Sequence, residues 1–314
     1  MHNPFPYSLD NKRYHTWNYY LKSHFGHKVC KVPLNAGFTC PNRDGSKSTG
    51  GCTFCSALGS GEFQGVTSKN LLEQFESGAE VMHRKWPDAK LMAYFQSYTN
   101  TYGPLSKIKE CIEPFMQRDD VMGICVATRA DCLKEDVIQY LNECAQSKEI
   151  WIELGLQTIH DETSLRINRA HTFKEFKDKV ERLSSTDCKI CVHIMNSLPD
   201  ETREMMIETA KVIGHLPIHA VKIHMLHLIE GTKMLKEYKE KPFTLLSQEE
   251  YVELVVTQLR YLPDTMVIQR VTGDGMKDSL YGPMWTLNKT QVTNDIDKLM
   301  AKMNVMQGDL YEQR

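Results

Sequence analysis

Short apolar runs alternate with amphipathic stretches along most of the chain. Six runs have the length of strands: Val29–Leu34, Leu91–Phe95, Gly123–Ala127, Ile150–Leu156, Lys189–Met195 and Val221–Leu228. Helical candidates lie between them, near 67–85, 105–118, 133–147, 161–185 and 201–214. A repeated strand-then-helix pattern predicts parallel strands, because parallel neighbours need a crossover of roughly a dozen residues or more. The chain is therefore expected to be α/β, with six units forming an open (β/α)6 partial barrel over residues 29–230. Residues 1–28 are expected to form an N-terminal extension with an amphipathic helix near 13–25. Residues 231–314 are expected to form a C-terminal extension packed on the barrel. In that extension VIQRVTGDGMK (Val267–Lys277) reads as a strand and a glycine turn, and LNKTQVTNDIDKLMAKM as a helix starting near Asn288 or Thr290.

Alternation within the strands sorts their polar residues, since neighbours point to opposite faces. Cys188 and Cys191 form a CxxC, but three residues apart on a strand they face opposite ways and should not share a metal. Cys191, His193 and Met195 share one face, and Lys222 and His224 share another, with His227 on the far side. Glu153 sits inside an apolar strand, which is costly unless an ion pair or hydrogen bonds satisfy it. Lys222 and His224 on one buried face call for an anionic partner or a hydrogen-bonded structural role.

With 41% apolar residues, the 314-residue chain can bury a substantial core. Its net charge of −2 excludes a uniformly basic surface. The first 47 residues differ: seven lysines and arginines oppose only Asp10 and Asp44, with Phe5, Tyr7, Tyr14, Trp17, Tyr19, Tyr20 and Phe25 interleaved. Basic groups with aromatics suit RNA; an amphipathic helix whose aromatics pack on the barrel explains them equally. No run of eighteen apolar residues exists, and MHNPFPYSLD lacks the apolar segment of a signal peptide. A cytoplasmic protein without a membrane span is expected, with its ten cysteines mostly reduced.

The densest chemistry lies in FTCPNRDGSKSTGGCTFCSALGSGEF, Phe38–Phe63, where Cys40, Cys52 and Cys55 stand as C-x11-C-x2-C. Glycine, proline and small polar residues favour an irregular loop that can wrap thiolates around one centre. A structural zinc site wants four protein ligands, and no fourth is evident. A disulfide framework lacks a secretory context, and inert buried cysteines do not explain three in one glycine-rich loop. A 4Fe–4S cluster on three thiolates suits soft sulfur ligands and leaves one iron open to a small molecule.

This loop resembles that of the radical S-adenosylmethionine (radical SAM) enzymes, although most members space the cysteines C-x3-C-x2-C. The longer gap resembles the branch of the Elongator catalytic subunit, and the whole chain resembles the YhcC/YtqA type within it. The resemblance implies a radical SAM (β/α)6 partial TIM barrel, a 4Fe–4S cluster on Cys40, Cys52 and Cys55, and S-adenosylmethionine (SAM) on the open iron. It places Gln96 and Ser97, in FQSYTNTYGP, near the SAM amino group, where relatives carry a GGE-like element; an ordinary polar loop is the plainer reading. It places Thr128, Arg129 and Asp131, in VATRADCL, at the cleft rim. There Arg129 could neutralise a carboxylate and Asp131 could equally cap a helix. WIELGLQT resembles the family's ELGLQ element, which gives Gln157 to SAM. INRAHTF resembles its arginine segment, which gives Arg169 to the SAM carboxylate, while His171 is read as a helix cap. His193 falls where relatives place a polar residue near the adenosine. The turn after it, NSLPDE, lacks the family's first glycine.

The activity implied is hydrogen abstraction by a 5′-deoxyadenosyl radical, with an electron donor such as flavodoxin or ferredoxin. No Elongator-type acetyltransferase domain is expected within these 314 residues, and no second cysteine cluster stands among them. The YhcC/YtqA resemblance implies tRNA bearing 5-carboxymethylaminomethyl(-2-thio)uridine at the wobble position as substrate and the 5-aminomethyl derivative as product. Lys222 or Arg270 would hold the substrate carboxylate, and Arg270 and Lys277 are also candidates to touch RNA. A radical SAM enzyme of a small molecule such as a porphyrin precursor, and a non-catalytic iron–sulfur electron carrier, remain the alternatives.

Overall fold

The computed structural model describes residues 5–7, 12–59 and 70–313. Ser60–Phe63 of the cysteine loop, and the expected first turn of the helix at 67–85, lie outside these residues. After helix α1 (Trp17–Phe25), strands and helices alternate: β1 (Val29–Leu34), α2 (Leu71–Lys85), β2 (Lys90–Phe95), α3 (Leu105–Met116), β3 (Val121–Thr128), α4 (Glu135–Ala145) and β4 (Glu149–Gln157). Then come α5 (Asp161–Arg166), α6 (Phe173–Leu183), β5 (Lys189–Asn196), α7 (Arg203–Gly214) and β6 (Ala220–Met225). The C-terminal part adds β7 (Leu228–Ile229), α8 (Lys233–Glu240), α9 (Gln248–Tyr261), β8 (Val267–Arg270), β9 (Leu280–Gly282) and α10 (Lys289–Met303).

The α/β expectation is borne out: seven parallel strands form one sheet in the order β1-β2-β3-β4-β5-β6-β8. Six strands were expected; β8 is the seventh, reached from β6 through α8 and α9, so the sheet continues past residue 230. The run expected as Val221–Leu228 breaks at Met225, and Leu228–Ile229 pairs antiparallel with Leu280–Gly282. The helix expected over 161–185 is two helices, because Asn168 and Ala170 adopt positive φ (55° and 57°) between them. Asn288 caps α10 through its side chain.

One face of each strand packs on the helices: Val32, Phe95, Val126, Leu154, Val192 and Ile223 are all buried in a single large cluster. Cys188 belongs to that outer layer and Cys191 to the inner one, so the CxxC is split as alternation requires. The other face curls inward. Its N-terminal end is plugged by α1, whose Leu21 packs with Met92, Cys125, Trp151, Cys191, Ala220 and Val267, flanked by Trp17, Tyr20 and Phe25. Trp17 and Tyr20 meet the Trp151 ring edge-on at 5.1 and 5.6 Å, and Tyr20 Oη donates to Glu149 at 2.8 Å. Trp17, Tyr20 and Phe25 therefore pack on the barrel, as the amphipathic-helix reading expects. A parallel bridge from Thr16 to Ile268 ties the segment to the last strand.

Candidate active site

Two residues further along six of the seven strands the same inward face becomes polar, while β3 presents Ala127 at that level. Lys31, Tyr94, Glu153, His193, Lys222 and Gln269 stand above the apolar plug and line a cavity of about 610 Å³. Glu153 is fully buried and takes Lys31 at 2.6 Å on Oε1, with Lys222 and His193 (3.0 Å) on Oε2. Lys31 also donates to Gln269 Oε1 at 2.7 Å, which links the two edge strands across the open side of the sheet. Lys222 donates to Tyr94 Oη at 3.2 Å.

Burial opposes the Glu153 charge, but Lys222 and Lys31 overcome it and hold the carboxyl well below its ordinary range. Burial lowers Lys222 despite Glu153. His193 is lowered to about 4, by burial first and then by Lys222. His224, 5.2 Å from the His193 ring, is lowered by burial, His193 and Arg270, and its Nε2 has no partner. Two lysines on one carboxylate leave this layer one positive charge in excess. At the rim Arg270 pairs with Asp274, which Lys289 also reaches.

Above the polar layer lies the cysteine loop. Cys40, Cys52 and Cys55 all line the cavity, Cys52 buried and the other two half-buried. All ten cysteines are free. Three N–H groups point at the thiols: Arg43 Nη2 lies 3.3 Å from the Cys55 sulfur, Asn42 Nδ2 3.6 Å and Arg169 Nη1 3.7 Å from that of Cys52. Asn42 Nδ2 also donates to the carbonyls of Asn168 (2.7 Å) and Arg169 (3.1 Å), which pins the loop to the α5–α6 connection. Burial and the Cys52 sulfur push the Cys55 thiol up to about 11 against the pull of Arg43. As a free thiol it would be neutral, so metal binding must displace its proton.

The residues expected around SAM fall mostly on the cavity wall. Gln96, Thr128, Gln157, Arg169 and His193 line it; Ser97 is buried beside it, outside the wall. Gln157 ends β4 at φ 76°, and its buried Oε1 has no partner. Arg169 is buried, donates to the Gly155 carbonyl, and keeps an unpartnered Nε. The Thr128 hydroxyl is taken by Thr101 at 2.5 Å. Lys222 faces the cavity but is already bonded to Glu153, and Arg270 stands at the rim.

Three readings are corrected. Arg129 is not free for a ligand carboxylate: Asp131 grips its guanidinium with two bonds of 2.9 Å, and it donates to the Arg169 carbonyl. Asp131 caps no helix; it binds Arg129 and Lys47. His171 is not a cap either, because Thr172 caps α6 in a capping box with Glu175. Sequence reasoning missed Lys31, Tyr94, Asn42 and Gln269. Strand parity held the signal for Lys31 and Tyr94, each two residues beyond an inward apolar residue.

The sequence profile of the Radical SAM superfamily matches residues 40–213, more than half of the chain, and that of the Radical_SAM C-terminal domain matches 218–302. The chain belongs to the radical SAM superfamily. This radical SAM protein is 48% identical over 310 residues to the uncharacterized protein YtqA of Bacillus subtilis, covering 99% of the chain and 96% of YtqA. It is 28% identical over 174 residues to the tRNA uridine(34) acetyltransferase of Methanocaldococcus jannaschii, covering 52% of the chain and 32% of that relative. The solved structure of Methanocaldococcus infernus Elp3 shares its fold with a TM-score of 0.65 at 17% identity, covering 90% of the chain and 64% of that structure. These relatives bear out the Elongator-like branch and the YtqA type.

The protein is thus a radical SAM enzyme, and its cofactors are a 4Fe–4S cluster and SAM. The site fits them: three soft thiols on one irregular loop, N–H donors aimed at the sulfurs, and unsatisfied polar atoms on Gln157 and Arg169 beside them. Among the described residues no three His, Cys, Asp or Glu side chains converge as ligands of a single ion would. Nor is any helix among them long and apolar enough to cross a membrane.

Proposed function

We propose that this enzyme modifies the wobble uridine of tRNA, converting 5-carboxymethylaminomethyl(-2-thio)uridine to 5-aminomethyl(-2-thio)uridine. What carries the reading is the positive excess of the polar layer directly beneath the cysteine loop. Lys31 and Lys222 share Glu153, and Arg270 stands at the rim with a carboxylate it divides with Lys289. A buried cationic excess is costly without an anion, and the substrate carboxylate supplies one. Arg270 is the better placed of the two expected cations, because Asp274 keeps Lys289 when Arg270 turns to a ligand. Lys222 acts through the Glu153 network. Further support comes from a relative, the M. jannaschii protein named as a tRNA uridine(34) acetyltransferase.

In this reading Cys40, Cys52 and Cys55 hold the cluster, and Arg169 and Gln157 offer SAM a guanidinium donor and a carboxamide acceptor. Gln96 and Thr128 bound the same end of the cavity, with Ser97 behind them, and His193 lies below toward Glu153. Bound together, the cofactors would supply a 5′-deoxyadenosyl radical for hydrogen abstraction at the methylene beside the carboxylate. Return of one electron from the substrate radical to the cluster and hydrolysis of the resulting imine would break the C–N bond, release the two carbons as an oxoacid and leave the primary amine. The chain's own part is to orient the substrate methylene and exclude water. The α1 plug closes the far end, and the wobble base must leave its stack to enter, as base-modifying proteins require. An electron donor such as flavodoxin or ferredoxin completes the set.

The same positive excess would suit a small carboxylate substrate, such as a porphyrin precursor. The two readings part in one assay: reconstituted, reduced enzyme with SAM, with and without tRNA carrying the carboxymethylaminomethyl group. Formation of 5′-deoxyadenosine that rises with this tRNA, and is lost in Cys40→Ala, Cys52→Ala and Cys55→Ala, is expected. Cleavage indifferent to tRNA would favour the small molecule. A cluster without cleavage would leave an electron carrier.

A further inference from the structure

A second opening, of about 780 Å³, reaches the cysteine loop by a different wall. It is lined by Arg43, Cys52 and Cys55 on one side and by α8 on the other. Met234 and Leu235 bury the inner face of α8, and Lys233, Lys236 and Lys239 are exposed at three-residue spacing toward this opening. An amphipathic helix always turns charge outward, so its lysines alone would mean little. Here they frame an approach to two cluster cysteines, and Arg43 connects the two, 3.3 Å from the Cys55 sulfur. Four cations face Glu230 and Glu240 on this wall. Their ion pairs are loose, Lys233 to Glu237 and Lys239 to Glu230 both at 3.6 Å. Lys239 also lies 4.9 Å from the ring of Tyr281, an exposed aromatic of the kind that anchors interfaces.

We propose that this opening is the docking surface for an acidic one-electron carrier protein, which delivers its electron to the cluster through the Arg43–Cys55 side of the loop. Substrate and SAM fill the main cavity, so a donor must approach by another wall, and electron transfer weakens steeply with distance. An RNA substrate has less use for this surface, because its target base must enter the main cavity, where Arg270 and the unpartnered Nε2 of His224 lie. Complementary charge would set the encounter rate and make it sensitive to salt. Beyond this geometry the proposal needs only the family's iron–sulfur cluster, and it stands apart from the wobble-uridine reading.

The test is a triple variant, Lys233→Glu, Lys236→Glu and Lys239→Glu, of the reconstituted enzyme. Reduced flavodoxin and reduced ferredoxin are the probes, and dithionite is the small-molecule control. Binding of the carrier is titrated directly, alongside the rate of cluster reduction. At least about a tenfold loss of carrier affinity is expected, with slower carrier-driven reduction, unchanged dithionite-driven reduction and a wild-type affinity that falls with salt. Carrier binding and reduction at wild-type levels would overturn the proposal. So would a variant that keeps the carrier but loses tRNA, which would make the surface an RNA contact.

Discussion

Glu153 is the residue on which the site's electrostatics turn. Its carboxylate, flanked by Lys31, Lys222 and His193, allows two ammonium groups to stand in the barrel interior. Glu153→Gln leaves both without a counter-charge and should cost about 3–5 kcal/mol, the usual penalty for breaking a buried pair. Urea denaturation measures it, and a loss below about 1 kcal/mol would mean the lysines do not depend on Glu153. Acid should act in the same direction. The Glu153 carboxyl is depressed below its ordinary 4.5, so its stabilisation is present above that pH and lost below it. His193 and His219 are depressed from 6.5 to about 4 by burial, so the unfolded chain binds their protons first. Stability of the cluster-free protein should therefore fall from pH 6.5 toward 4, by up to about 1.4 kcal/mol per pH unit for each such histidine. A flat profile across that window would contradict the buried neutral imidazoles. The resemblance of WIELGLQT placed Glu153 inside the barrel, and alternation put Lys222 on one face with His224. That Lys222 is already bonded to Glu153 depends on how the sheet curls, which brings β1 and β6 to the same carboxylate.

At the scale of elements, the sequence specifies strands better than the joints between them. Val29–Leu34 holds to the residue, because a lysine and a proline in that run still leave the apolar alternation intact. The stretch 161–185 reads as one helix because its helical periodicity hides the kink at Ile167–Thr172. That kink shapes the cavity: with positive φ at Asn168 and Ala170, the Arg169 between them reaches inward to Cys52. β8 was legible as a strand, but its place in the sheet was not, since two helices separate it from β6. Gln157 is a similar joint, a side chain offered to the cavity from a left-handed backbone. Gln157→Gly relieves the backbone and should leave stability unchanged or raise it by about 1 kcal/mol. The same change should weaken SAM binding in equilibrium dialysis; SAM affinity at the wild-type level would remove Gln157 from the cofactor site. The α1 plug is tested by Leu21→Ala, expected to destabilise by about 2–5 kcal/mol in thermal or urea unfolding. A loss near zero would show that the helix merely rests on the barrel.

At the scale of the molecule, the layers follow one another along the inward face: apolar plug, ionic layer, cysteine loop. The order closes one end of the half-barrel to water and puts the positive excess beneath the cluster loop, where a carboxylate beside the reacting methylene would lie. Family and fold were legible in the cysteine loop and the strand–helix rhythm. The wobble-uridine substrate came only as what the resemblance implies, and the ionic layer proposed to receive its carboxylate was not legible, because Lys31, Glu153 and Lys222 meet only when the sheet curls. The most direct measurement uses tRNA whose carboxymethylaminomethyl group carries deuterium on the methylene beside the carboxylate. Turnover with SAM should place deuterium in 5′-deoxyadenosine as 5-aminomethyluridine appears. Product formed with unlabelled 5′-deoxyadenosine would contradict hydrogen abstraction at that carbon, and with it the account of the cationic layer.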